Sequence, residues 1–243
     1  MELKKSYQRI LLKLSGEMLG GTVKLGIDKT AVELMAREIR QIHDQGIEIA
    51  VVIGGGNFFR GSLASDFGLE RSAADHMGML ATCINALALQ ATLEKQHNLD
   101  TRVMTAIHMP ELAEPYIKRK ASKHLSLGRV VIFAAGTGNP LFTTDTAAAL
   151  RAREMNCDII LKATKVDGIY DSDPLKNPTA VKFSKLDYLE VISKKLQVMD
   201  ATAITMCMES SMPILVFKLA EQGAVLAALK DKHAGTIVGQ DIR

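Results

Sequence analysis

Two short apolar runs end abruptly in glycine. Residues 47–53 lead into Gly54-Gly55-Gly56-Asn57, and residues 130–133 lead, through two alanines, into Gly136-Thr137-Gly138-Asn139. Both runs are rich in β-branched or aromatic residues and nearly free of polar positions, the pattern of strands covered on both faces. Strands of that kind need helices on either side, which points to a mostly parallel sheet.

The rest of the chain keeps the same rhythm. Residues 10–14 form a third apolar run that stops at Ser15-Gly16, with Lys13 as its one polar position. A helix is expected after Asp28, whose carboxylate suits a cap, with Val32, Met35, Ile39 and Ile42 on one stripe and Gly46 as terminator. Residues 71–97 carry Met77, Leu80, Ile84, Leu87 and Ala91 at helical spacing, and 102–107 return as a strand. Further strands are expected over 158–163, 213–218 and 235–238, with helices over 145–156, 186–196, 200–210 and 221–230. The stretch 171–178, with two prolines, is a boundary or a nucleotide loop. Composition does not shift across it, which favours one continuous sheet whose halves bind different ligands.

A net charge of +3 over 243 residues demands no polyanionic partner. The densest basic run, Lys118-Arg119-Lys120 with Lys123, reads as a solvated helix face, so nucleic acid is not expected as a substrate. Cys83, Cys157 and Cys207 lie far apart in apolar surroundings and read as reduced core thiols. No C-x-x-C or H-E-x-x-H spacing occurs, and no apolar run approaches the ~20 residues of a membrane span. The expected compartment is the cytosol.

A glycine turn at the carboxyl end of a parallel strand leaves backbone N–H groups free to bind anions, and a helix starting there adds its dipole. Two such strand-to-helix turns suggest two phosphorylated ligands. Neither completes G-x-G-x-x-G, because Phe59 and Leu141 stand where the third glycine belongs, and this argues against a nicotinamide enzyme. No glycine precedes a lysine, so a Walker-type cation must come from elsewhere. Lys13 and Lys162, each near the carboxyl end of an apolar strand, either neutralise phosphate or reach past the edge to solvent. Arg60 either forks onto a phosphate or is a surface arginine. Asp145 either caps the helix that follows or organises the lysines or a magnesium ion.

Five strings then occur in order across nearly the whole chain. They are Lys13-Leu14-Ser15-Gly16, Gly54-Gly55-Gly56-Asn57 with Phe59-Arg60-Gly61, Asp75-His76-Met77-Gly78-Met79-Leu80, Gly136-Thr137-Gly138-Asn139-Pro140, and Lys162-Ala163-Thr164-Lys165-Val166-Asp167-Gly168. Together they resemble the bacterial uridylate kinases, a branch of the amino-acid-kinase family. The resemblance implies a single three-layer α/β/α sandwich over 1–243, with an acceptor-binding half over 1–156 and an ATP-binding half over 157–243. It implies transfer of the γ-phosphoryl group of ATP to UMP, with magnesium, within pyrimidine nucleotide synthesis. It also implies a cytoplasmic homohexamer, inhibited by UTP and, in many members, activated by GTP.

Carried over by motif, Lys13, Leu14, Ser15, Gly16, Gly56 and Arg60 would meet the ATP phosphates, and Thr164, Tyr170 and Asp173 its nucleoside. Gly55, Asp75 and the run Gly136, Thr137, Gly138, Asn139, Pro140, Leu141, Phe142, Thr143 would bind UMP, Asp75 through the ribose hydroxyls. Lys13, Arg60, Asp145, Lys162 and Asp200 form the implied catalytic set, although Asp200 also suits a helix cap. Gly21, Thr22, Val23, Lys24, Leu25 and Gly26 match the segment tied to GTP, with inner residues that depart from the family's usual run. A kinase of the same fold acting on a carboxylate or carbamate is the nearest rival, and Asp75-His76-Met77-Gly78 argues against it.

Overall fold

The structure is a computed structural model that describes residues 7–23, 25–59, 68–196, 198–231 and 234–239. The apolar run near the start forms β1 (Arg9–Leu14), followed by a short helix α1 (Gly16–Gly20) that the sequence reading lacks. Next comes α2 (Lys29–His43), where Asp28 accepts hydrogen bonds from the backbone N–H groups of Thr30 and Ala31 and thereby caps the first turn. Its expected stripe, Val32, Met35, Ile39 and Ile42, is buried.

Then follow β2 (Glu48–Ile53), α3 (Arg71–His97), β3 (Thr101–Thr105), β4 (Glu114–Pro115), α4 (Lys118–Ser126), β5 (Val130–Ala134) and α5 (Thr144–Glu154). The remainder comprises β6 (Ile159–Thr164), β7 (Ile169–Tyr170), β8 (Lys182–Phe183), β9 (Lys185–Leu186), α6 (Tyr188–Ser193), α7 (Ala201–Glu209), β10 (Ile214–Lys218), α8 (Ala224–Lys230) and β11 (Gly235–Val238).

Among the described residues the strands form a nine-stranded sheet in the order β4-β3-β5-β2-β1-β6-β10-β11-β9, and β7 pairs with β8 as a separate hairpin. Every pairing in the large sheet is parallel except that of β10 with β11. Alternate residues feed two cores. Leu12 and Leu14 pack with α2, α3 and α8, whereas Leu11 packs with α4, α5, α6 and α7. The sheet is therefore covered by helices on both sides, as the apolar strands require. Cys83, Cys157 and Cys207 are buried and unpaired, and burial pushes the Cys157 and Cys207 thiols up to about 12. Among the described residues no helix is long and apolar enough to cross a membrane.

Chain order and strand order together locate the site. From β1 the chain builds β2, β3 and β5 to one side, then returns past β1 to lay β6 and β10 on the other. The sequence of strands thus reverses between β1 and β6, and ligands of open α/β sheets bind beyond the carboxyl ends of strands at such a point.

The stripe that marks α3 in the sequence is not the face it buries. Met77, Leu80 and Ile84 are exposed, while Met79, Thr82, Cys83, Asn85, Ala86, Leu89 and Leu93 face inward. This helix is apolar on two sides, so periodicity finds the helix but not its orientation.

Candidate active site

Lys13 and Lys162 are Cα partners in the β1–β6 pairing, at the carboxyl ends of the two strands flanking the reversal. Each interrupts an apolar alternation on the face that carries Leu11 and Ile160, so both side chains point toward α5. There the Asp145 carboxylate receives them. Lys13 Nζ lies 2.8 Å from Oδ1, and Lys162 Nζ donates to Oδ2 at 2.7 Å. Oδ1 has the ion pair but no aligned hydrogen bond. The side chains of Lys13, Lys162 and Asp145 are only 6%, 15% and 18% exposed, so neither lysine is an edge residue reaching to solvent.

Burial pushes the Asp145 carboxyl upward, but the charges of Lys13 and Lys162 outweigh it and hold the group at about 2. Burial lowers the Lys162 ammonium despite the opposing charge of Asp145, and Lys13 beside it adds to the lowering. Lys162 also donates to the Val198 carbonyl. Two ammonium groups share one carboxylate at the strand ends, with the Asp200 carboxylate also acting on Lys162, and positioned cations of this kind suit a phosphoryl group in transfer.

Asp145 does not cap α5. That role belongs to Thr143, whose Oγ1 accepts from the N–H groups of Asp145 and Thr146 at 3.0 and 3.4 Å. Asp145, two residues further in, is released to organise the lysines. Asp200 does cap α7, accepting from the Ala203 N–H at 2.9 Å. Its oxygens also accept from the hydroxyls of Thr143 and, at 2.9 Å, Thr146, so it joins α7 to the start of α5.

Among the described residues neither glycine turn runs directly into a helix. The strand β2 passes into a turn, and α3 begins only at Arg71. Nine residues separate β5 from α5. What lies against the first turn is α1: a Cβ on Gly16 would sit 2.5 Å from Gly56 N and 2.8 Å from Gly54 O. Among the described residues no helix dipole stands directly behind either turn, and what the turns offer is their own backbone groups.

Two clefts open on either side of the lysine cluster. One of about 220 Å³ is walled by Gly55, Asp75, Thr82, Gly136, Thr137 and Thr143 among others. The other, about 560 Å³, is walled by Lys162, Thr164, Tyr170, Asp173, Lys195 and Val198 among others. Asp145 bridges them, since its neighbour Thr144 lines the first cleft and its partner Lys162 lines the second.

A family model described as "Amino acid kinase family" matches residues 8–218. The chain belongs to the amino acid kinase family. Among solved structures it is similar to a UMP kinase from Bacillus anthracis, with 42% identity, 98% of each chain covered and a TM-score of 0.94. It is also similar to a UMP kinase from Ureaplasma parvum, with 38% identity, 97% of this chain and 100% of that one covered and a TM-score of 0.90. A uridylate kinase from Archaeoglobus fulgidus matches at 27% identity over 95% and 99% of the two chains, with a TM-score of 0.73.

In this amino acid kinase the expected acceptor residues converge. Asp75, in the second turn of α3, is paired with Arg71 at 3.0 Å and accepts from the Leu141 N–H at 2.8 Å, tying that helix to the second glycine segment. Gly138 packs against Ala106, Asn139 bonds to Thr137, and Leu141 is 70% exposed, so these residues shape the segment from outside the cleft wall. Of the expected donor set, Thr164, Tyr170 and Asp173 share the larger cleft. Tyr170 donates to Asp167 at 2.6 Å, and Asp173 accepts from the Leu175 N–H at 3.0 Å. Leu14 is fully buried, which leaves only its backbone for a ligand, and Ser15 precedes α1 without a side-chain capping bond. Arg60 and Lys24 lie outside the described residues. In the 21–26 segment, Thr22 donates to Asp28 at 2.9 Å, and Val23 and Leu25 are exposed.

The sequence reading missed Thr82, Asn85 and Thr146. All three are buried polar residues whose partners are turns or carboxylates of the site. Their signal was present: Thr82 and Asn85 interrupt the inward face of an apolar helix, as Lys13 interrupts its strand.

Proposed function

We propose that this protein transfers the γ-phosphoryl group of ATP to UMP, giving ADP and UDP. The observation that carries the reading is the Lys13–Asp145–Lys162 cluster, held at the strand reversal between two clefts. ATP occupies the larger cleft, its nucleoside against Thr164, Tyr170 and Asp173 and its phosphates toward Lys13, Ser15, Gly16, Gly56, Lys162 and Arg60. UMP occupies the smaller one, its ribose hydroxyls donating to Asp75 and its phosphate facing Gly55 and the segment from Gly136 to Thr143. Phosphoryl transfer asks a protein for positioning and positive charge more than for a covalent nucleophile, and the lysine pair supplies that charge. Asp145 keeps both ammonium groups in place, and Asp200 holds the start of α5 through Thr143 and Thr146.

Bound together with ATP, magnesium would supply positive charge that offsets the charge of the phosphates. Both Asp145 oxygens face lysines, and the Asp200 oxygens are taken by two hydroxyls and a backbone N–H. Each oxygen already faces a partner, Asp145 Oδ1 through the Lys13 ion pair alone, an arrangement that fits an ion carried by the nucleotide rather than by a protein cage.

The chain acts as one domain, with the acceptor half over 1–156 and the ATP half over 157–243. It works in the cytoplasm in pyrimidine nucleotide synthesis and assembles as a homohexamer. The exposed Met77, Leu80 and Ile84 on α3 support self-association. UTP inhibits by presenting a uridine to the acceptor cleft, and GTP activates through the 21–26 segment. ADP release measured with UMP, CMP, AMP, GMP and small carboxylates as acceptors tests the central reading. UMP is expected to give the highest kcat/KM, and equal values for all acceptors would end it.

A further inference from the structure

Thr82 and Asn85 stand three apart on the inward side of α3, with 2% and 0% of their surface exposed. Polar groups so placed are costly unless they are bonded. Apart from the Met79 carbonyl of α3 itself, their partners lie in the two glycine turns. Thr82 Oγ1 donates to the Met79 carbonyl at 2.6 Å and accepts from the Ala135 N–H at 2.8 Å. Ala135 opens the second turn with a φ of 59°, a left-handed conformation that an L side chain adopts only when something holds it. Asn85 Nδ2 donates to the Gly54 carbonyl at 2.8 Å and to Asn57 Oδ1 at 2.7 Å. Asn57 returns the bond at 2.9 Å and reaches the Gly26 carbonyl at 2.8 Å. One turn before Thr82 the helix backbone touches the first turn, since a Cβ on Gly55 would lie 2.6 Å from Gly78 O.

We propose that α3 sets the distance between the two turns, with Thr82 as the positioning residue for the acceptor-side turn and Asn85 for the turn between donor and acceptor. Thr82 lines the acceptor cleft, but its hydroxyl is engaged as donor and acceptor within the fold, so it acts through Ala135. This assignment of kinetic roles rests on the UMP reading above; the anchoring itself does not.

The test compares Thr82→Val, Thr82→Ala and Thr82→Ser with Asn85→Asp. Removing the hydroxyl leaves the Ala135 N–H without its partner, and KM for UMP rises about tenfold while kcat and KM for ATP stay within about twofold. Thr82→Ser restores the KM. Thr82→Ala removes the same hydroxyl without placing a methyl against that N–H, so it shows the same split even where the valine variant does not fold. Asn85→Asp puts a carboxylate oxygen against the Gly54 carbonyl, and kcat falls about tenfold or more with a smaller change in KM for UMP. Hydrogen exchange on the ligand-free protein supplies a readout independent of activity. Thr82→Ala speeds exchange over 135–143 and leaves 54–57 unchanged, and Asn85→Asp does the reverse. Unchanged exchange in both segments, or a fall in kcat with no KM shift for the Thr82 variants, overturns the proposal. A wild-type protein that does not phosphorylate UMP removes the acceptor reading alone, and the exchange arm still decides the anchoring.

Discussion

At Gly55 an added Cβ meets the Gly78 carbonyl at 2.6 Å, whereas at Gly136 it meets nothing within 4 Å. The first turn is glycine because α1 and α3 crowd it. The second is glycine because its backbone is left-handed, with φ of 59° at Gly136 and 81° at Gly138, and Ala135 and Leu141 share that conformation at 59° and 72°. Their anchors differ too. The amides of Asn57 and Asn85 hold the first turn, while Asp75, Asp200 and Thr82 hold the segment of the second and Asp145 lies just beyond it. A crowded turn with neutral anchors is suited to a fixed position between donor and acceptor. A left-handed, partly exposed turn with mostly charged anchors is suited to adjusting to the acceptor proposed for it.

Substitutions should break this contrast in a definite order. The largest effect is expected for Asp145→Asn, which leaves two buried ammonium groups without their counter-ion and costs about 3 kcal/mol at neutral pH. The folded carboxyl titrates at about 2, below its ordinary 3.8. Its contribution is therefore complete above the unfolded value and is lost as pH falls through 3.8 toward about 2. Denaturant titrations of wild type and variant should converge by about 2 kcal/mol between pH 5 and pH 2, and a pH-independent difference would contradict the ion-pair assignment. Gly55→Ala comes next, costing about 2 kcal/mol through backbone contacts that cannot yield, with a fall in kcat that thermal melts and steady-state rates will show together. Gly136→Ala is the mildest. It has room for the methyl and pays only for φ, about 1 kcal/mol, and a cost equal to that of Gly55→Ala would erase the distinction between the turns.

Much of this site was legible in the sequence because its key residues break a pattern. Lys13 and Lys162 stand out in apolar strands, and the glycines end theirs, so each is visible without a partner. Asp28 was readable as a cap for the same local reason. What was not legible depends on neighbours far along the chain. The β1–β6 register sets the lysines side by side, and nothing in residues 9–14 or 159–164 states it. Thr143 outcompetes Asp145 for the cap because Asp145 has two lysines to answer, a choice made in space. The two faces of α3 are both apolar, so its outward stripe masks the inward pair Thr82 and Asn85. The β7–β8 hairpin is built from pairs of residues too short for any periodicity to register.

The central claim is that the lysine cluster between the clefts supplies the charge that phosphoryl transfer needs. Lys13→Met keeps most of the side-chain volume and removes only the ammonium. Its kcat for ADP release with saturating ATP and UMP should fall about a hundredfold or more, with both KM values within a few-fold of wild type, because the lost interaction belongs to the transition state. A folded Lys13→Met protein that keeps the wild-type kcat would contradict the account.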